Sequence, residues 1–288
     1  MMKRLLAFVF LLLLLSPASC LCQNKHALVI GIGRYEDSRW GVIHGDVDVV
    51  YIVNMLEENG FADQEIKTLK NEEATKQAIV ESFHSLRDQC SPGDKVYIHF
   101  SGHGQQVSDL DKDETENDGW DEAWIPYDAQ PVASDSYNGE KHLIDDELNQ
   151  LLLDIREKVG PSGRILVTVD ACHSGGSTRD LGSVQRGIDQ KFIIRGTPTE
   201  HPRPPLKEEP WITISACQPN QVNFEMDNPA MGKLSWCLYS LRDSLGKKSN
   251  EDLKKAIIKK MRPFPGSLGQ KPMMTGCHDT ESVKDVFN

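Results

Sequence analysis

The sequence has no C-x-x-C pair, no internal repeat, no Ser/Gly-rich linker and no surplus of basic charge, and each absence removes a class of function. Without that spacing, a zinc site of the C-x-x-C type has no ligand set. With 32 Lys and Arg against 43 Asp and Glu the net charge is −11, which repels a polyanion, argues against nucleic acid as a partner and suits basic polypeptides. Without a linker or a repeat, 288 residues fit one α/β domain better than two. Long apolar runs are missing too: the one present, Leu5 to Leu15, spans about 11 residues where a membrane helix needs roughly 20.

That run has the setting of an export leader. Lys3 and Arg4 precede it, and Ser16, Pro17, Ala18, Ser19 and Cys20 follow, an order that predicts a signal peptide over residues 1–22. Residues 23–288 are then expected as one exported domain, secreted or periplasmic, with no transmembrane span after the leader is removed. Soluble export ranks ahead of a lipid anchor on Cys20, which Pro17 suits poorly. Cys90, Cys172, Cys217, Cys237 and Cys277 remain after cleavage, an odd number, so at least one thiol stays free or pairs between chains.

Strand and helix patterns alternate along the chain. Residues 25–32 read as a buried strand ending in glycines, and Val49, Ile52, Val53 and Leu56 then fall at helical spacing until Gly60. Residues 65–69 suggest a second strand. Ile79, Phe83 and Leu86 mark a helix that Ser91-Pro92-Gly93 ends, and a third strand over 95–100 runs into Ser101-Gly102-His103-Gly104. Leu148, Leu151, Leu152 and Ile155 repeat the helical spacing with Asp145 as N-cap, and a fourth strand over 164–169 runs into Asp170-Ala171-Cys172-His173. Five prolines between Gly196 and Pro210 make that stretch an exposed loop. A strand at 211–215, helices at about 233–244 and 251–261 and a closing strand at 272–275 follow. The alternation predicts an α/β fold with a mostly parallel central sheet and helices on both faces. Ligands in such sheets sit beyond the carboxyl ends of the strands, where both His103 and Cys172 lie.

A thiol attacks a carbonyl as its thiolate, so a catalytic cysteine needs a partner that accepts the proton, usually histidine. Here a glycine-flanked histidine and a cysteine near glycines end two strands of one sheet, and backbone amides beside them can form an oxyanion hole. Taken singly, a buried structural thiol and a loop histidine are the commoner situation. Their joint placement favours chemistry.

The two motifs, in this order, resemble those of the caspase-like cysteine peptidases (peptidase C14), above all the metacaspases. The resemblance runs from about Lys25 to Gly276 and includes Gly45-Asp46-Val47-Asp48, Asp118-Gly119-Trp120-Asp121-Glu122, Ile125-Pro126-Tyr127-Asp128 and Ser215-Ala216-Cys217-Gln218. It implies a three-layer α/β/α sandwich of the caspase-hemoglobinase type. It also implies a cysteine endopeptidase working through a thioester, with His103 as general acid and base and Cys172 as nucleophile. The N–H groups of Gly104 and Cys172 form the oxyanion hole in this reading, and His173 has a structural role. The pattern further implies an acidic pocket at Asp48, Ser101 and Asp170, with Asp128 as a less secure fourth member, accepting Arg or Lys at P1, the residue before the cut. Clustered carboxylates repel one another, and a cationic side chain relieves that cost.

The chemistry needs no cofactor. Some metacaspases require calcium, and the acidic stretch from Asp109 to Glu122 offers hard oxygen ligands, Asp118 and Asp121 being the candidates. No EF-hand register fits, since the sixth position from Asp109 is Glu114, and a solvated acidic loop is the alternative. Arg179, Arg186, Lys191 and Arg195 follow the nucleophile and make self-cleavage an expectation alongside polypeptide substrates with basic residues. Two other readings stay open at this level: a non-catalytic caspase-like binding module, and a legumain-like peptidase cutting after Asn.

Overall fold

The computed structural model describes residues 23–109, 119–172, 184–188, 190–196, 209–219, 221–264 and 270–288. The expected leader at 1–22, Asp118, His173, Arg179 and residues 197–208 of the proline-rich stretch lie outside the described residues. In chain order, strand β1 (Lys25–Gly31) is followed by helix α1 (Gly45–Glu58), β2 (Ile66–Lys70), α2 (Lys76–Gln89), β3 (Lys95–Ser101), β4 (Gly104–Ser108), β5 (Trp120–Trp124) and β6 (Leu143–Ile144). Then come α3 (Asp145–Val159), β7 (Arg164–Asp170), β8 (Ile212–Ser215), β9 (Glu225–Asp227), β10 (Ala230–Gly232), α4 (Lys233–Ser240), α5 (Asn250–Met261), β11 (Met273–Gly276) and α6 (Lys284–Phe287).

The main sheet has six strands in the order β11-β8-β7-β3-β1-β2, all parallel except β11. Side chains alternate between its faces as strand geometry requires. Leu28, Ile30, Val96, Ile98, Ile165 and Val167 pack on one side with Ile79, Phe83 and Leu86 of α2 and Leu148, Leu152 and Ile155 of α3. Ala27, Val29, Tyr97 and Leu166 pack on the other with Val49, Ile52 and Leu56 of α1 and with α4 and α5. The result is the α/β/α sandwich. Burying each large aliphatic side chain contributes about 1.5–3 kcal/mol, which is why the helical stripes hold the helices down. Among the described residues, no helix is long and apolar enough to cross a membrane. Among the described residues, Cys90, Cys172, Cys217, Cys237 and Cys277 form no disulfide.

The register aligns the working ends of the central strands. Gly31 of β1 stands opposite Ser101 of β3, and Ser101 stands opposite Asp170 of β7. Helix α1 starts hard against these ends: a Cβ on Gly45 would lie 2.4 Å from the Ser101 carbonyl oxygen, so only glycine permits the approach that carries Asp48 into the sheet's edge. Helix α3 begins at Asp145 itself, with Ile144 in the capping position, one residue earlier than the sequence pattern suggests.

A second sheet, β4-β5-β6, and the short β9-β10 pair are features the sequence pattern does not announce. In β4 the buried side chain of Gln105 is polar, bonded to His142 at 2.9 Å and to the Pro131 carbonyl at 3.0 Å. That polar interior breaks the apolar alternation by which a strand is recognised.

Candidate active site

Strand register brings His103 and Cys172 to neighbouring strand ends. His103 lies two residues past Ser101 and Cys172 two past Asp170, and those two are cross-strand partners. Both side chains are buried. The His103 ring is held by the loop that joins β1 to α1: Tyr35 and Trp40 flank it at centroid distances of 5.2 and 5.4 Å, and its Nε2 lies 2.8 Å from the Gly41 carbonyl oxygen. A carbonyl only accepts, so Nε2 carries the hydrogen and Nδ1 is left with its lone pair. Nδ1 is buried and has no hydrogen-bond partner among the described residues. Burial pushes the His103 pKa down to about 4, with Arg186 acting in the same direction and the Gly41 bond opposing, so the imidazole is neutral near pH 7. A neutral ring with an open lone pair can accept a proton. The Cys172 thiol donates to the Gln221 carbonyl at 3.0 Å. Behind it Cys217 is an inert thiol, held well above its ordinary pKa by its bond to Cys172 and by burial.

Beside this pair lies a buried acidic pocket, and Arg186 of the same chain fills it. The guanidinium bonds to Asp48 Oδ2 at 2.8 Å, to Glu225 Oε1 at 2.8 Å, to the Asp170 carbonyl at 3.0 Å and to Ser101 Oγ. Asp48 also accepts from Ser101 at 2.6 Å and from the Gly232 N–H at 3.0 Å. The Asp170 carboxylate stands 3.7 Å from Nη1 and is otherwise occupied, accepting from the Asn223 amide and from Ser235, each at 2.8 Å. Burial raises the Asp48 pKa to about 6, against the lowering pull of Arg186 and with the nearby Asp170 charge adding to the rise. For Asp170, burial is outweighed by Arg186, Asn223 and Ser235, and the pKa is lowered.

The backbone around Arg186 is as closely held as its side chain. Its carbonyl oxygen accepts from the Cys172 N–H at 2.8 Å, and its own N–H donates to the Asn223 carbonyl at 2.9 Å. The Glu225 N–H donates to the Val184 carbonyl at 2.8 Å, and Gln185 bridges Phe224 antiparallel. After the arginine, Gly187 forms a parallel bridge with Gly104 and Phe192 one with Val107. These bonds and isolated bridges hold Arg186 to Cys172 and Gly187 to Gly104, beside the strand ends.

Of the residues read from the sequence, His103, Cys172, Gly104, Asp48, Ser101 and Asp170 therefore come together. Asp128 does not. Its Oδ1 accepts the Lys76 N–H at 2.9 Å at the start of α2 and its Oδ2 pairs with Lys141 at 3.1 Å, so its charge is spent on holding that helix end. Glu225, on β9, supplies the third carboxylate instead. Neither Glu225 nor the Gly41 carbonyl has a local motif that would reveal it. Away from the pocket, Asp121 gathers with Asp145 and Asp146, their carboxylate oxygens lying within 4.8 Å of one another. Such an all-oxygen set suits a hard divalent cation.

A family model described as metacaspase, peptidase C14 domain, matches residues 25–181. The chain belongs to that family. Curated relatives of this metacaspase include Metacaspase-1 of Botryotinia fuckeliana, 32% identical over 163 residues (54% of this chain and 35% of the relative), and Metacaspase-1 of Eremothecium gossypii, 33% identical over 166 residues (55% and 33%). The chain thus spans about a third of the length of the curated relatives it matches. Among solved structures, a protein from Geobacter sulfurreducens superposes with a TM-score of 0.60 at 24% identity, covering 87% of this chain and 92% of that one. Caspase-1 from Spodoptera frugiperda gives 0.59 at 13%, covering 88% and 86%. These two likenesses establish the caspase fold. The family match contains His103, Cys172, Asp48, Ser101 and Asp170 and stops short of Arg186 and Glu225.

Proposed function

We propose that this metacaspase is a cysteine endopeptidase that cuts polypeptides after a basic residue, and that its own Arg186–Gly187 bond is one such substrate. The observation that carries the reading is the double hold on Arg186: its cation is buried among carboxylates while its carbonyl oxygen accepts the Cys172 N–H. An oxyanion needs a donor at that atom, and a donor there contributes about 3 kcal/mol to the transition state. Pairing on both sides of the peptide is the β-strand addition by which peptidases grip extended substrates.

In this mechanism the Cys172 thiol turns from Gln221 and passes its proton to His103 Nδ1. The sulfur attacks the carbonyl carbon after the basic side chain, and the oxygen takes up negative charge against the Cys172 N–H, with Gly104 alongside. The C–N bond breaks, His103 returns the proton to the leaving amine, and a thioester remains. Water deprotonated by His103 then releases the acid and regenerates the thiol. The residue after the cut is constrained in the self-bound state. A Cβ on Gly187 would lie 2.5 Å from the Cys172 carbonyl oxygen, which supports glycine at that place.

Calcium belongs to the same proposal. Asp121, Asp145 and Asp146 would hold it, where it would neutralise clustered charge and tie β5 to the start of α3. Export is proposed from the leader-like residues 1–22.

The test is a panel of peptide amides ending in Arg, Lys, Asn or Asp, given to wild type and to Cys172→Ala. Release after a basic residue that disappears in the variant is expected. Release after Asn would point to the legumain type of cut, and no release with or without calcium would contradict the peptidase reading.

A further inference from the structure

Arg186 presents five N–H groups, and the pocket meets all five. Nε donates to Glu225 Oε1 at 3.1 Å, and Nη2 donates to that oxygen and to Asp48 Oδ2, both at 2.8 Å. Nη1 donates to Ser101 Oγ and to the Asp170 carbonyl. Glu225 accounts for two of these bonds and is itself held in place: its Oε1 accepts the His44 backbone N–H at 2.7 Å, and its Oε2 lies 2.6 Å from His44 Nδ1. The carboxylate is buried, and both of its oxygens are committed before any substrate arrives.

We propose that Glu225, clamped by His44, is the residue that selects arginine over lysine, so that the substrates are polypeptides cut after arginine. The proposal rests on the basic-residue preference above and narrows it. A lysine ammonium carries three donors on one atom and has none at the position of Nε. It would leave at least two of the five acceptor contacts unmet, and the Nε contact to Glu225 is necessarily among the losses. A buried carboxylate deprived of a donor is costly, and a site built to bond every donor of one side chain rejects an analogue that lacks them. His44 sharpens the choice, because a carboxylate bonded through both oxygens to one residue cannot swing to follow a shorter amine. The planar fork of arginine fits the fixed acceptors as it stands.

The test uses the full chain carrying Cys172→Ala and Arg186→Ala, which cannot cut and whose pocket is vacated. Calorimetric titration compares the peptides Val-Gln-Arg-Gly and Val-Gln-Lys-Gly. The arginine peptide is expected to bind roughly 30-fold tighter or more, and adding Glu225→Gln is expected to reduce that ratio to about fivefold or less, chiefly by weakening the arginine peptide. Lysine binding within about threefold of arginine, no binding of the arginine peptide, or a ratio indifferent to Glu225→Gln would overturn the proposal. The arginine-to-lysine comparison needs no change at Glu225, so it decides the matter even if that variant misfolds. Because binding is read rather than turnover, a wild type that cleaves nothing would sink the peptidase reading alone and leave this result to stand separately.

Discussion

The protonation state of His103 is set by its neighbours rather than by its motif. Tyr35 and Trp40 exclude water from the ring, and the Gly41 carbonyl fixes the tautomer that leaves Nδ1 open. With its pKa near 4, the imidazole loses its basic form only in strong acid, whereas Asp48 gains a proton near pH 6. The two groups predict different pH signatures. The value of about 6 belongs to the pocket with the Arg186 cation holding it down, so the empty pocket takes up its proton at higher pH. On a limb at or above pH 6, kcat/KM for a basic substrate should drop, through a rise in KM, because protonated Asp48 grips the cation less; kcat should hold until nearer 4. A limb at or above pH 6 that appears in kcat, or that survives in Asp48→Asn, would contradict this assignment. Removing the thiol by Cys172→Ala should lower kcat by roughly 10⁴-fold or more, measured on a basic peptide amide. At this scale the sequence was informative wherever a residue sits in a strand-end motif, as His103, Cys172, Ser101 and Asp170 do, or in the glycine-led start of a helix, as Asp48 does. Glu225 and Gly41 reach the site through contacts 39 and 62 residues away in the chain, and no local pattern encodes such contacts. Arg186 was visible only as one of four cations in a loop.

At the scale of elements, apolar spacing located the helices and the central strands to within a few residues, because one face of each must be buried. It did not reveal β4-β5-β6. There Gln105 and His142 satisfy each other inside, and Asp121 and Glu122 interrupt β5, so the pattern reads as an acidic loop. The helical stripes are open to test: Phe83→Ala in α2 removes a ring that is fully buried against the sheet and should cost about 3–5 kcal/mol in urea unfolding. The acidic junction between β5 and α3 is testable as well. Calcium should raise the thermal midpoint of the Cys172→Ala protein, and Asp146→Asn should remove most of that rise; an equal rise in the variant would place the ion elsewhere.

Across the whole molecule, burial of neutral histidines ties stability to pH. His99, His103 and His142 are each pushed by burial to about 4, against 6.5 in an exposed setting. Between those values the unfolded chain binds more protons than the folded one, so stability falls as pH is lowered through that window, by up to about 3 kcal/mol per histidine. Asp48, raised to about 6, binds its proton in the folded state and offsets part of this. The urea midpoint of the Cys172→Ala protein should therefore be lower at pH 4.5 than at pH 7, and an equal or higher midpoint would count against three buried neutral imidazoles.

The most direct measurement of the central claim is intact-mass spectrometry of the purified chain during incubation with calcium, beside Cys172→Ala and Arg186→Ala. The account predicts two fragments meeting at Arg186 and Gly187 in the wild type, and no cut at that bond in either variant. An uncut wild-type bond, or the same cut in Cys172→Ala, would contradict it.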